Sequence, residues 1–276
     1  MNSENPPNPP EPCFIEREAA VLTASGMMIA PYGEYSFTEL KAHYAAQIEK
    51  NADAERFFFK GMTLLSDLRA ALIECKKRGR EAVALLAVDD ELATEASLPA
   101  DAALITLQSM GLSAFGLSAA SEETLTDAYE RLAPIAAIPL FLQKSDGSAI
   151  PIALRAIERE TALLLANERE AFFLESDTTE ISEEITADDD MEEAFHAAAE
   201  SASDVLKIVI NTPDDAVAFA EKAPMATLPV MFSGENDTAL MLALMLYQGR
   251  ALIDRTCGID EETLEKAIGK YGAVLY

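Results

Sequence analysis

The sequence predicts an α/β protein built from repeated βα units, and three observations predict it. Short, near-continuous apolar runs recur along the chain, as in parallel strands covered on both faces. Between them lie stretches with apolar residues three or four apart, several opening on helix-start residues. The two kinds alternate at roughly 25 to 30 residues, the length of a βα unit whose crossovers build a parallel sheet or barrel. Roughly nine or ten strand candidates exceed the eight of a simple barrel. The expectation is therefore a TIM-barrel-like but incomplete or rearranged fold, closing as one barrel or packing as two open lobes.

The strand-like runs of the first half are Ala19 to Thr23, Arg56 to Phe59, Ala82 to Val88, Ala114 to Leu117 and Ile138 to Gln143. Ser36-Phe37-Thr38-Glu39 fits a capping box and opens a helix to about Lys50, with Leu40, Tyr44 and Ile48 on one face. Ser66 to Arg78 and Ala100 to Met110 repeat that spacing, and Ser121 caps a helix to about Leu132. In the middle, Thr161 to Ala166 and Ala171 to Leu174 predict two strands around Asn167-Glu168-Arg169-Glu170. The acidic stretch Glu175 to Glu193 then reads as a linker between lobes. Beyond it come a strand at Val205 to Ile210 and a helix opened by Thr212-Pro213-Asp214-Asp215, whose acids suit the helix dipole. A strand at Leu228 to Phe232 follows, then a helix capped by Asp237 and stopped by Gly249. Ala251 to Asp254, a helix from Asp260 to Tyr271 ended by Gly272, and a strand at Ala273 to Tyr276 complete the series. The expected division is a proline-rich tail over 1–18, a first βα domain over 19–175, and an acidic linker with a second βα lobe over 176–276.

Composition limits the partners. Half of the 276 residues are hydrophobic, enough for a sizeable core. With 21 Lys and Arg against 48 Asp and Glu, the formal charge is −27. Such a surface repels phosphate backbones and anionic lipid, so neither nucleic acid nor membrane is expected as a partner. A basic protein surface suits it better; separately, an open parallel sheet edge would have to be covered, which makes a second copy of the chain an expected partner. Cys13, Cys75 and Cys257 are odd in number and far apart, which predicts a reducing compartment. The opening residues lack a basic and apolar signal, and Ala239 to Tyr247 is too short an apolar run to span a bilayer. A cytoplasmic protein is expected.

Two stretches carry a resemblance. Pro31-Tyr32-Gly33-Glu34-Tyr35-Ser36-Phe37, Leu104-Ile105-Thr106-Leu107-Gln108-Ser109-Met110-Gly111 with Ala114-Phe115-Gly116-Leu117, and Ile138-Pro139-Leu140-Phe141-Leu142-Gln143 follow one another in the order of a known barrel. From Ala19 to Gly147 the chain resembles the homocysteine-binding barrel of homocysteine S-methyltransferases, including cobalamin-dependent methionine synthases. Leu246-Tyr247-Gln248-Gly249-Arg250-Ala251-Leu252-Ile253-Asp254 and Lys270-Tyr271-Gly272-Ala273 are similar to the opening of the pterin-binding barrel that follows in those enzymes. The resemblance implies methyl transfer to a thiol in one-carbon metabolism, with homocysteine activated on a zinc ion held by three cysteine thiolates.

The chain departs from that pattern at the chemistry. Ala119 stands where a strand-tip thiolate is expected, and the paired cysteines of the Gly-Gly-Cys-Cys-Gly-Thr motif have no counterpart. Lys60-Gly61-Met62 occupies the place of an acidic substrate-holding segment. In the pterin-like part, Ser233 replaces an aspartate, while Asp254 and Cys257 replace asparagines. No metal site and no cofactor are therefore predicted, zinc and pterin included. Cys13, Cys75, Cys257, His43 and His196 have no ligand spacing among them, and the acidic run lacks a calcium-loop pattern. Nor is there a Walker loop, a Gly-x-Gly-x-x-Gly run or a Gly-x-Ser-x-Gly elbow.

A barrel places its pocket at the carboxyl ends of the strands. That rule selects Lys60, Asp89, Ser118, Lys144, Asn211, Ser233, Asp254, Thr256 and Cys257, with Met27 beside them, as ligand-pocket candidates. Lys60 and Lys144 are the cations of the set and together suit a carboxylate ligand, although a pair of exposed lysines has equal weight. No catalytic residue is assigned. The expected function is a binding or accessory protein of the methyltransferase family. Two alternatives stand beside it: an active methyltransferase with a rebuilt site, and a structural partner that completes another barrel.

Overall fold

A computed structural model describes residues 19–150, 162–175, 177–187 and 190–276. The first six strands are β1 (Ala20–Leu22), β2 (Arg56–Lys60), β3 (Glu81–Ala87), β4 (Ala114–Ala119), β5 (Leu140–Lys144) and β6 (Ala149–Ile150). They form one sheet in sequence order, with β1 to β5 parallel and β6 turned back antiparallel on β5. Helices α1 (Phe37–Lys50), α2 (Leu65–Lys77), α3 (Ala100–Ser109) and α4 (Glu122–Leu132) connect the parallel strands. The strands read as continuous apolar runs because both faces are buried. Phe57, Phe59, Ala84 and Leu86 join the helix-side core, whereas Phe58, Val83, Leu85 and Ala114 form a second cluster on the other face.

The second half holds β7 (Leu163–Asn167), β8 (Ala171–Leu174), β9 (Ile181–Ile185), β10 (Val205–Val209), β11 (Val230–Ser233), β12 (Gly249–Arg250), β13 (Leu252–Ile253) and β14 (Val274–Leu275). Its helices are α5 (Met191–Glu200), α6 (Pro213–Lys222), α7 (Asp237–Leu246) and α8 (Glu261–Tyr271). A five-stranded parallel sheet runs β14-β13-β11-β10-β9. A three-stranded antiparallel sheet, β12-β7-β8, lies against its inner face, where Leu165 and Phe172 meet Val205, Met231 and Leu252. The fold is thus α/β with parallel βα alternation in two separate sheets, and neither sheet closes into a barrel among the described residues.

Helix starts follow the local chemistry. Ser36 and Glu39 make the predicted capping box, and Thr212 with Asp215 makes a second ahead of Pro213. Gly272 ends α8 in the left-handed conformation, at φ +69°. Three details differ from the sequence reading. Asn236, not Asp237, caps α7, and that helix ends at Leu246 rather than at Gly249. Gly249 instead opens β12, because the chain turns there to pair with β7. The acidic run 175–193 contains β9 and the start of α5. The tail over 1–18, Cys13 included, and Thr161 lie outside the described residues.

The halves are joined through one continuous core. Arg69 of α2 is fully buried, with no carboxylate partner among the described residues. Its guanidinium donates to the carbonyl oxygens of Leu244 at 2.9 Å and Met245 at 3.3 Å, and it stacks on Phe37 at 5.5 Å. These carbonyls end α7, so the negative pole of a helix dipole stands in for a counter-ion. Burial still pulls the Arg69 pKa down to about 10. Lys76 of α2 donates to the carbonyls of Met110 and, at 2.8 Å, Gly269. Gly272 comes so near α3 that a Cβ there would lie 2.1 Å from Ser109 Oγ. Only glycine satisfies both that approach and the positive φ.

Candidate functional site

The strand-end residues selected from the sequence fall into two groups on two different sheets. On the first sheet Lys60 closes β2, Asp89 follows β3, Ser118 lies in β4 and Lys144 closes β5. Asp89 accepts the backbone N–H groups of Glu91 at 3.1 Å and Ala93 at 3.0 Å, which organises its own turn. Lys144 pairs with Glu122 at 2.8 Å, and that carboxylate holds its pKa above the ordinary lysine value. With strands about 4.8 Å apart, β2 and β5 stand about 14 Å from one another. Lys60 and Lys144 thus stand on strands separated by two others, and the Lys144 ammonium is taken up by Glu122. Met27 packs against the main core, and its backbone N–H donates to Ser25 Oγ.

The second group does converge, on a residue that sequence reasoning missed. Lys207 of β10 projects from the inner face and bridges Glu184 of β9 at 2.9 Å and Asp254 at 3.0 Å. Asp254 accepts four hydrogen bonds in all: from Lys207, from Ser233 Oγ at 3.1 Å, and from the N–H and Oγ1 of Thr256 at 2.8 and 2.7 Å. Burial alone would raise its pKa; the bonds from Thr256, Lys207 and Ser233 outweigh it and hold the carboxyl at about 2. Asn211 accepts the Glu235 N–H at 3.3 Å, beside this network. The backbone N–H of Cys257 donates to the Asp254 carbonyl at 3.2 Å, closing the same turn. The network satisfies itself, and its ordering leaves the Asp254 carboxylate little capacity for a ligand.

The described thiols are Cys75 and Cys257. Cys75 is buried in α2, and burial pushes its thiol up to about 12, far from a thiolate. Ala119, at the end of β4, is buried and pairs in register with Lys144. Among the described residues no group of three or more His, Cys, Asp or Glu could hold a metal ion. His43 packs edge-on to Tyr44 at 5.3 Å, within α1.

An apolar cleft opens elsewhere, at the junction of the two halves. It measures about 240 Å³ and is lined by none of the nine predicted residues. The loop after β1 forms one wall through Ile29, Pro31 and Tyr32, and Phe37 continues it at the start of α1. That loop folds back tightly: Ala30 N–H donates to Tyr35 O at 2.9 Å, and Gly33 N–H to Ile29 O at 2.9 Å. A Cβ on Gly33 would come within 2.1 Å of Met28 O, so the turn needs glycine. The opposite wall is Val217 of α6, Pro224 beyond it, and Tyr247 after α7. Tyr247 is fixed edge-on to Phe232 at 5.9 Å, and Phe232 to Phe219 at 5.2 Å.

The β7–β8 turn closes one end. Asn167 Oδ1 accepts the N–H groups of Arg169 and Glu170, both at 2.8 Å, and so presents Glu168 and Arg169 to the cleft. Tyr32 OH donates to Glu168 Oε1 at 3.1 Å and accepts from Arg169 at 2.8 Å. Burial raises the Glu168 pKa, against the lowering effect of Tyr32 and Arg169. Gln248 donates through Nε2 to Leu246 O at 2.7 Å, leaving its buried Oε1 without a partner. The connection leaving α6 leads into β11, so on the second sheet this cleft faces the amino side of the strands. The barrel rule looked to the other side.

No protein-family model matches the chain, and no curated protein matches it. No described helix is long and apolar enough to cross a membrane.

Proposed function

We propose that the chain is a cytoplasmic, methionine-synthase-like protein of one-carbon metabolism that binds a small ligand and does not run zinc-dependent methyl transfer. The family reading rests on the segments 31–37, 104–117, 138–143 and 246–254 in their order along the sequence. The observation that carries the binding reading is the cleft at the junction of the halves. It has apolar walls, a few convergent polar groups and a position between two packed units, which is where small-molecule sites concentrate. The absence of transfer chemistry is argued from Ala119 at the strand tip and from the inert thiol of Cys75.

Purified protein assayed for methyl transfer to homocysteine, with and without added zinc, tests this. The expected result is no turnover in either condition, with zinc well below one per chain by elemental analysis. Zinc-dependent turnover would overturn the reading and establish a rebuilt active site.

A further inference from the structure

We propose that the junction cleft selects a small apolar amine, holding its ammonium group between Glu168 and Gln248 and its hydrocarbon body between Phe37, Val217, Pro224 and Tyr247. This rests on the binding reading above and goes further, to the chemical class of the ligand. Two residues that line the cleft have acceptor capacity to spare. Gln248 Oε1 is buried and unpartnered, which costs stability until a donor arrives. Glu168 accepts only the Tyr32 hydroxyl on one oxygen, and the described residues give its other oxygen no hydrogen bond. Its partial burial disfavours the bare carboxylate, so a cation at this point offsets that cost and gains a charge-assisted bond.

The local charge favours the same class. Glu168 and Glu221 line the cleft against one cation, Arg169, which is exposed and engaged with Tyr32. Arg69, which does not line the cleft, stacks on Phe37 and donates to the α7 carbonyls. At longer range the net charge of −27 concentrates cations near the surface. The volume of about 240 Å³ accommodates roughly ten non-hydrogen atoms, the size of one ring with a short arm.

Calorimetric titration with three probes of one shape tests the proposal: phenethylamine, 2-phenylethanol and 3-phenylpropionate. The amine is expected to bind at least tenfold more tightly than the other two. Glu168→Gln should reduce that preference to under threefold while leaving alcohol binding unchanged. Ala220→Trp, on the half-exposed wall of α6, should abolish binding of all three with an unaltered unfolding midpoint. If the alcohol or the carboxylate binds as well as the amine, the amine inference falls and the binding cleft stands. If none binds at millimolar concentration, both fall.

Discussion

Arg69 and Lys207 are both drawn out of solvent, and they are neutralised in opposite ways. Arg69 sits where the halves meet and bonds to the carbonyl end of α7, whereas Lys207, on the strand beside the edge of the second sheet, lies between two carboxylates. The consequence shows in their acidities. Burial lowers the Arg69 pKa, while the Glu184 bond, with Asp254 in support, raises that of Lys207. A helix terminus offers about half a charge spread over several carbonyls, enough to hold a guanidinium but not to offset its lost hydration. Arg69 is thus a tether whose value lies in geometry. Lys207 is the centre of an ion-pair network that stiffens a sheet edge.

The largest expected effect breaks the first of these. Arg69→Ala should cost about 4 kcal/mol in urea denaturation, since it leaves a cavity and frees the Leu244 and Met245 carbonyls inside the core. Arg69→Met keeps most of the volume and sharpens the comparison. Stability equal to the parent would show that the carbonyl bonds contribute nothing net. Next comes Asp254→Asn, expected to cost about 2 kcal/mol because Lys207 keeps Glu184 but loses its better-buried partner. The same carboxylate predicts an acid dependence. Its folded pKa of about 2 lies below the unfolded value near 4, so its contribution is complete above about pH 4 and is lost as pH falls through about 2. The gap in unfolding midpoint between parent and Asp254→Asn should therefore narrow from pH 5 to pH 2.5; a constant gap would assign the stabilisation to shape rather than charge. The smallest effect is Lys144→Ala at the first sheet, whose exposed pair with Glu122 should leave the thermal midpoint unmoved.

The sequence made the repeating elements legible because their signals are local. Ser36 with Glu39 and Thr212 with Asp215 cap the helices they were expected to cap, and continuous apolar runs such as Ala82 to Val88 are strands buried on both faces. Where tertiary pairing decided the outcome, local signals misled. Gly249 looked like a helix stop but is the first residue of β12, whose partner β7 lies more than eighty residues earlier. In the acidic run, Glu183 and Glu184 hid the edge strand β9, although Ile181 and Ile185 flank them and Glu184 points to Lys207. The apolar spacing of Met191, Phe195 and Ala198 could have revealed α5.

The candidate site was less legible still. Ser233, Asp254 and Thr256 do meet, but the lysine that organises them was read only as part of a strand. A lysine flanked by Leu206 and Ile208 in a buried strand was the available signal, since such a charge needs a partner. The cleft draws on four segments far apart in the chain, and no spacing rule joins Tyr32 to Glu168 or to Gln248.

The three-stranded sheet ties the chain together like a stitch. Its hairpin, β7 and β8, precedes the second parallel sheet, yet its third strand is β12, from deep within that lobe. A cut between β8 and β9 leaves neither piece with the whole of it. A backbone nick between β8 and β9 would produce two fragments, each exposing the edge that the other completes. Such fragments should aggregate apart and regain structure on mixing. For the same reason, the piece from β9 onward, grafted alone onto another protein, would carry β12 with its edge open.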